Sequence, residues 1–140
     1  MNVADLILER AKQYPNHTAL VEGTTQISYA RLGQLALRVS QELRKIAADH
    51  PPKSVLRVGL FWPNSWEYVA LALGILQAGA CLVPIPEELP AAERAAQISV
   101  TAPHLLLSQP GRPAVPRPET QIFPGEPTWE WATIASEPSF

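Results

Sequence analysis

Apolar positions recur at intervals of three and four in two stretches near the start of the chain. Val3, Leu6, Ile7, Ala11 and Tyr14 mark a short amphipathic helix, with Asn2 as its N-cap and Pro15 just past its end. Leu32, Leu35, Ala36, Val39, Leu43, Ile46 and Ala47 mark a second helix of about four turns, its other positions filled by Arg38, Gln41, Glu42, Arg44 and Lys45. Between them, Ala19 to Val21 and Ile27 to Tyr29 flank Glu-Gly-Thr-Thr, the pattern of a small hairpin.

Asp49, His50, Pro51 and Pro52 break the second helix, and Val55 to Phe61 follows as a strand with Arg57 its one charge. Asn64 with Glu67 three residues on has the form of a capping box opening a helix over Trp66 to Gln77, apolar almost all round and so expected in the core. Gly79 ends it, and Cys81 to Ile85 forms the next strand. Pro90 opens a helix over Ala91 to Val100, and His104 to Ser108 supplies one more strand. The alternation predicts an α/β fold with a mostly parallel sheet and a small N-terminal hairpin, spanning residues 1–109. Residues 110–140 carry seven of the fifteen prolines and read as a linker or strap, with one short helical turn over Trp129 to Ile134. Trp129 and Trp131 there are indoles that expect something to cover them.

Composition narrows the function. Hydrophobic residues make up 46% of the 140, which excludes wholesale disorder. Eleven basic against thirteen acidic residues, with no basic block, give a nucleic-acid role no support. Cys81 is the single cysteine, so neither an internal disulfide nor a cysteine-cluster metal site is expected, and His17, His50 and His104 are too far apart for a local ligand motif. Asp5 and Glu9 interrupt the apolar character of the N-terminus, which does not read as a signal peptide; the expected location is cytoplasmic. Tyr68 to Pro86 has only Gln77 polar in nineteen residues, a length that raises the question of a membrane span. Gly79, Pro84 and Pro86 interrupt it, and a buried helix, a turn and a buried strand explain it better.

No recognisable catalytic motif is present. None of the seven glycines forms G-x-G or precedes a lysine, so there is neither a dinucleotide fingerprint nor a P-loop, and G-x-S-x-G and H-E-x-x-H are absent. Glu87 and Glu88 read as a solvated pair in a polar connection, and Cys81 as a small buried hydrophobe. His17 and His104 read as surface or edge residues without a partner. Trp62, Trp66 and Tyr68 read as packing at a strand-to-helix turn rather than as an aromatic pocket, and Asn64 as a helix cap.

In order, ALVEGTTQISYARL, VGLFWPNSWEYVALALGILQAGACLVPIPEELPAAE and APHLLLS resemble the N-terminal part of the adenylate-forming (AMP-binding) superfamily, which includes acyl- and aryl-CoA synthetases, nonribosomal peptide adenylation domains and luciferases. ISYARL resembles the first core motif of that family and LQAGACLVPI the second, and the likeness covers about residues 3–109. The Pro-Asn-Ser start of the third helix looks more like acyl- or aryl-CoA synthetases. Ala30-Arg31, where an acidic residue often precedes the leucine, and Pro86, where peptide synthetase domains often have aspartate, depart from the pattern and weaken the amino-acid reading.

The resemblance implies an N-terminal fragment of a ligase that activates a carboxylic acid substrate with ATP and Mg²⁺ and passes the acyl group to CoA or a carrier thiol. The family's phosphate loop, aromatic-Gly-x-Thr-Glu segment, ribose-binding aspartate and C-terminal lysine have no counterpart in these residues. No catalytic, cofactor-binding or metal-ligating residue is therefore carried over, and no cofactor is expected on this chain alone. Tyr29, Leu32, Ala78, Gly79 and Pro84, which match the two motifs, are expected to be structural. The fragment, whether truncated, split or degenerate, is expected to be inactive alone, with homo-oligomerisation or missing C-terminal lobes as its completion. Three alternatives stand beside it: a fragment of an amino-acid adenylation domain, a non-catalytic interaction module docking through Trp129, Trp131 and the proline-rich strap, and a membrane-interfacial protein anchored through residues 68–86.

Overall fold

A computed structural model describes residues 3–49, 54–115 and 119–133, so the expected Asn2 cap, the break at His50 to Pro52 and Ile134 lie outside the described residues. The chain forms two compact units, one from Met1–Pro51 with Asn64–Ala80, the other from Pro52–Pro63 with Cys81–Phe140.

The first unit is helical with a hairpin. Helix α1 (Val3–Gln13) is followed by strands β1 (Thr18–Glu22) and β2 (Thr25–Ser28), then α2 (Tyr29–Asp49), and later α3 (Trp66–Gln77). The hairpin strands are antiparallel, with Glu22 opposite Thr25 and Leu20 opposite Ile27. In α2 the buried positions Leu32, Leu35, Ala36, Val39, Ser40, Leu43 and Ile46 repeat every three or four residues and form one face. Ile27, Leu32, Leu35 and Ala70 form a buried cluster, and Ile7, Leu20, Trp66 and Val69 pack against it. Where α3 meets α2, a Cβ added to Gly74 would lie 2.5 Å from Val39 Cβ and 2.9 Å from the Ala36 carbonyl oxygen, so the two backbones approach as closely as glycine permits.

The second unit is built on strands β3 (Arg57–Phe61), β4 (Cys81–Pro84), β5 (Leu105–Ser108), β6 (Gln121–Phe123) and β7 (Trp129–Thr133), with helix α4 (Ala91–Thr101). Their order in the sheet is β4-β3-β5-β7-β6. Strands β4 and β5 flank β3 and run parallel to it, as the alternation of helix and strand requires. Strand β7 runs antiparallel to β5, and β6 antiparallel to β7. The fold is α/β with a small N-terminal hairpin, and its larger sheet is mixed. The two antiparallel strands come from the segment read as a strap, where Trp129 to Thr133 is a strand and not a helical turn. Its alternation puts Trp129, Trp131 and, across the ladder, Leu107 on one face, and that burial outweighs the proline-rich surroundings.

The apolar run Tyr68 to Pro86 is divided as expected. Helix α3 ends at Gln77 with Ala78 as its C-cap, Gly79 turns with φ of 78°, and β4 begins at Cys81. No helix among the described residues is long and apolar enough to cross a membrane.

Candidate functional site

In an open parallel sheet the carboxyl ends of the strands are the usual place for a ligand. Here an open hollow of about 490 Å³ lies there, lined by Phe61 at the end of β3, Glu87 and Glu88 after β4, Arg94 on α4, and Arg112 with Pro113 after β5. Sequence reasoning singled out Glu87 and Glu88, and the fold brings them beside two arginines it had not marked. The one signal for Arg112 was its position shortly after a strand end; the other three share no spacing that would announce them.

The charges in this hollow are largely committed. Arg94 Nε donates to the Ala114 carbonyl, its Nη1 donates to the Leu89 carbonyl at 3.1 Å, and its guanidinium lies 4.8 Å above the Phe61 ring. Arg112 Nη1 donates to Gln109 Oε1 at 3.0 Å, and its Nη2 is 3.6 Å from Glu87 Oε1. That last pair is half open to water and contributes at most about 1 kcal/mol. Two carboxylates balance two guanidinium groups, and among the described residues no serine, cysteine, histidine or lysine lines the space. The arrangement can receive a polar solute, but it holds no nucleophile and no surplus positive charge.

The other natural phosphate position in a strand-to-helix turn is the helix N-terminus, where free N–H groups face outward. At α3 those groups are taken by the protein. Ser65, not Asn64, is the N-cap, its Oγ accepting from the Tyr68 N–H at 3.3 Å. The Trp66 N–H donates to Glu22 Oε2, 2.7 Å away on β1, and that carboxylate would repel a phosphate. Neither the hollow nor the start of α3 is arranged to hold the phosphates of ATP or CoA. Nor do any three or more histidine, cysteine, aspartate or glutamate side chains among the described residues gather to hold a metal ion.

The remaining residues singled out from sequence fall as follows. Cys81 is exposed and not buried, because it opens β4, a strand at the sheet edge. His104 has partners: its Nδ1 accepts from the Arg57 N–H at 2.9 Å and its own N–H donates to the Arg57 carbonyl at 2.8 Å, joining β5 to β3. His17 stacks on Tyr14 with centroids 4.9 Å apart. Trp62 is buried, Trp66 lies under Arg31 at 5.7 Å, and Tyr68 is half-buried with its hydroxyl pKa raised by burial. The Tyr29 N–H donates to the His17 carbonyl, Leu32 is buried in the core of the first unit, Ala78 caps α3, and the Pro84 carbonyl accepts from Gln97 Nε2. Trp129 and Trp131 are buried, so these two indoles are not exposed as the interaction-module alternative requires.

Comparison with known proteins gives a consistent picture. The family model for AMP-binding enzyme matches residues 7–136. Syringomycin synthase SyrB1 of Pseudomonas syringae pv. syringae is 34% identical over 86 residues, 61% of this chain and 13% of that protein. A medium/long-chain-fatty-acid and 3-oxocholest-4-en-26-oate CoA ligase of Mycolicibacterium smegmatis is 35% identical over 85 residues, 61% of this chain and 15% of that protein. The chain thus spans only a small part of the length of these relatives. Among solved structures, the inhibitor-bound N-terminal domain of FACL13 from Mycobacterium tuberculosis is similar with a TM-score of 0.66 and 29% identity, over 75% of this chain and 26% of that one. The Klebsiella oxytoca NpsA N-terminal subdomain shares the fold, with a TM-score of 0.68 and 20% identity, over 82% of this chain and 29% of its own.

Proposed function

Because this chain belongs to the AMP-binding enzyme family, whose model matches residues 7–136, we propose that it is the N-terminal part of an ATP-dependent ligase that activates a carboxylic acid as its adenylate. The family match carries this reading. The acyl group then passes to a thiol, and CoA is the acceptor we favour. The Pro63-Asn64-Ser65 start of α3, Pro86 after the second core motif and the 35% identity to a CoA ligase support that choice. The reading of an amino-acid adenylation domain is supported by the 34% identity to syringomycin synthase.

The groups that perform the chemistry belong to sequence beyond these residues, since the hollow beside β3 and the start of α3 hold no phosphate site. The part proposed for this region is to support the substrate-binding body of the enzyme. The test is to read the coding frame around this chain, express its longest product, and measure pyrophosphate exchange with fatty, aryl and amino acids, then thioester formation with CoA. Exchange with fatty or aryl acids and a CoA thioester is the expected result. Exchange confined to amino acids, with no CoA product, transfers the chain to the peptide synthetase reading, and no exchange with any acid overturns both.

A further inference from the structure

Among the described residues one charged side chain is buried: Glu130 on β7, 8% exposed. Its Oε1 accepts from the Thr120 hydroxyl at 2.9 Å. Its Oε2 is fully shielded and has no hydrogen-bond partner among the described residues. Native folds rarely leave a buried carboxylate oxygen so, because water lost on burial must be replaced by another donor. Beside Glu130 is a cavity of about 10 Å³, bordered also by Ser108, Thr120, Pro113, Ala114 and Leu106. Ser108 is itself 4% exposed and sits directly opposite Glu130 in the β5–β7 ladder.

The size of the cavity decides what it takes. Roughly 10–15 Å³ is the space of one water, too little for an incoming side chain or an organic ligand. Among the described residues no lysine, arginine or histidine borders it. The guanidinium of Arg94, which bonds the Ala114 carbonyl, is committed to that carbonyl, to Leu89 and to the Phe61 ring. What the lining offers is one carboxylate oxygen and the hydroxyls of Ser108 and Thr120, a set that matches the two to four polar partners of a buried water.

We propose that Glu130 Oε2, Ser108 and Thr120 form a binding site for a single ordered water, which donates one proton to Oε2 and reaches a hydroxyl with its remaining capacity. The site ties β7 and Thr120 to the carboxyl end of β5. Pro113 borders both this cavity and the larger hollow, so the bound water lies behind one wall of that hollow.

A crystal structure of the chain at a resolution that shows solvent is the test, joined by the same structure of Glu130→Met, which keeps the length of the side chain and removes the carboxylate. The expected result is a solvent peak about 2.8 Å from Oε2 and within hydrogen-bond reach of Ser108 or Thr120, present in the native chain and lost in the variant. A dry cavity, a Ser108 hydroxyl bonded directly to Oε2, or a peak that gains anomalous signal when the crystal is soaked in rubidium overturns the proposal. If the variant does not fold, the native structure alone decides. In solution, oxygen-17 relaxation of the native protein reports the same site as a long-lived water.

Discussion

At Gly74 two opposite effects meet in one atom. An alanine there gains about 1 kcal/mol of helix propensity, yet its Cβ would lie 2.5 Å from the Cβ of Val39, an atom with no rotamer to escape by, and 2.9 Å from a backbone oxygen. Overpacking of this kind costs about 1–3 kcal/mol, so Gly74→Ala is expected to lower the denaturation midpoint. Gly79→Ala meets nothing within 4 Å, but φ of 78° alone costs a side chain about 1–2 kcal/mol. A smaller Gly74→Ala loss in a Val39→Gly background, with no such reduction for Gly79→Ala, would separate crowding from backbone strain. The cap of α3 gives a second contrast: Ser65→Ala is expected to cost about 1 kcal/mol, and Asn64→Ala less than about 0.5 kcal/mol. Both residues are good caps, and Glu67 three positions after Asn64 pointed to the wrong one; only the bond from the Tyr68 N–H to Ser65 Oγ distinguishes them. Tyr68 itself supplies a pH dependence. Burial raises its pKa above the ordinary 10.0, so the folded chain keeps a proton that the unfolded chain releases. Its contribution to stability is whole below pH 10.0 and is lost as the pH climbs through the higher folded value. Thermal midpoints measured from pH 8 to 11 should fall less steeply for Tyr68→Phe than for the native chain.

At the scale of elements, those defined by near neighbours were legible and those defined by distant partners were not. Helix α3 follows at Trp66 to Gln77 from the capping pattern before it, its almost unbroken apolar run and Gly79, and β3, β4 and β5 follow from short apolar runs between turn residues. Strands β6 and β7 have only three and five residues, sit among prolines, and gain their stability from ladders, β7 to β5 more than twenty positions earlier in the chain and β6 to β7. The alternation Trp129-Glu130-Trp131 was a signal for β7, yet a period of two over so few residues is weak evidence by itself. The hollow was hidden for the same reason: its lining comes from three separate strand ends, and no local pattern joins Phe61 to Glu87 and Arg112. Ending the chain after residue 109 tests the role of the last two strands. Removing them strips β5 of its partner at Leu105 to Ser108 and uncovers an edge in mid-sheet. The shortened chain is expected to be less stable and to aggregate in light scattering, whereas a true strap could be cut away with little effect on either.

For the molecule as a whole, membership in a family of AMP-binding enzymes coexists with a hollow and a helix start whose polar groups are already committed to the protein. Residues 1–140 purified alone are expected to show no carboxylate-dependent pyrophosphate exchange above a protein-free control. Exchange by the short chain would mean that the committed arginines of the hollow rearrange around ATP.

The chain passes from one compact unit to the other three times, after Pro51, after Pro63 and after Ala80. No single cut divides the polypeptide into its two units, because residues 52–63 of the second are threaded between stretches of the first. For inheritance, this means that a recombination joint within residues 52–80 divides at least one unit between two parents. The two units are therefore exchanged between genes most safely as one block.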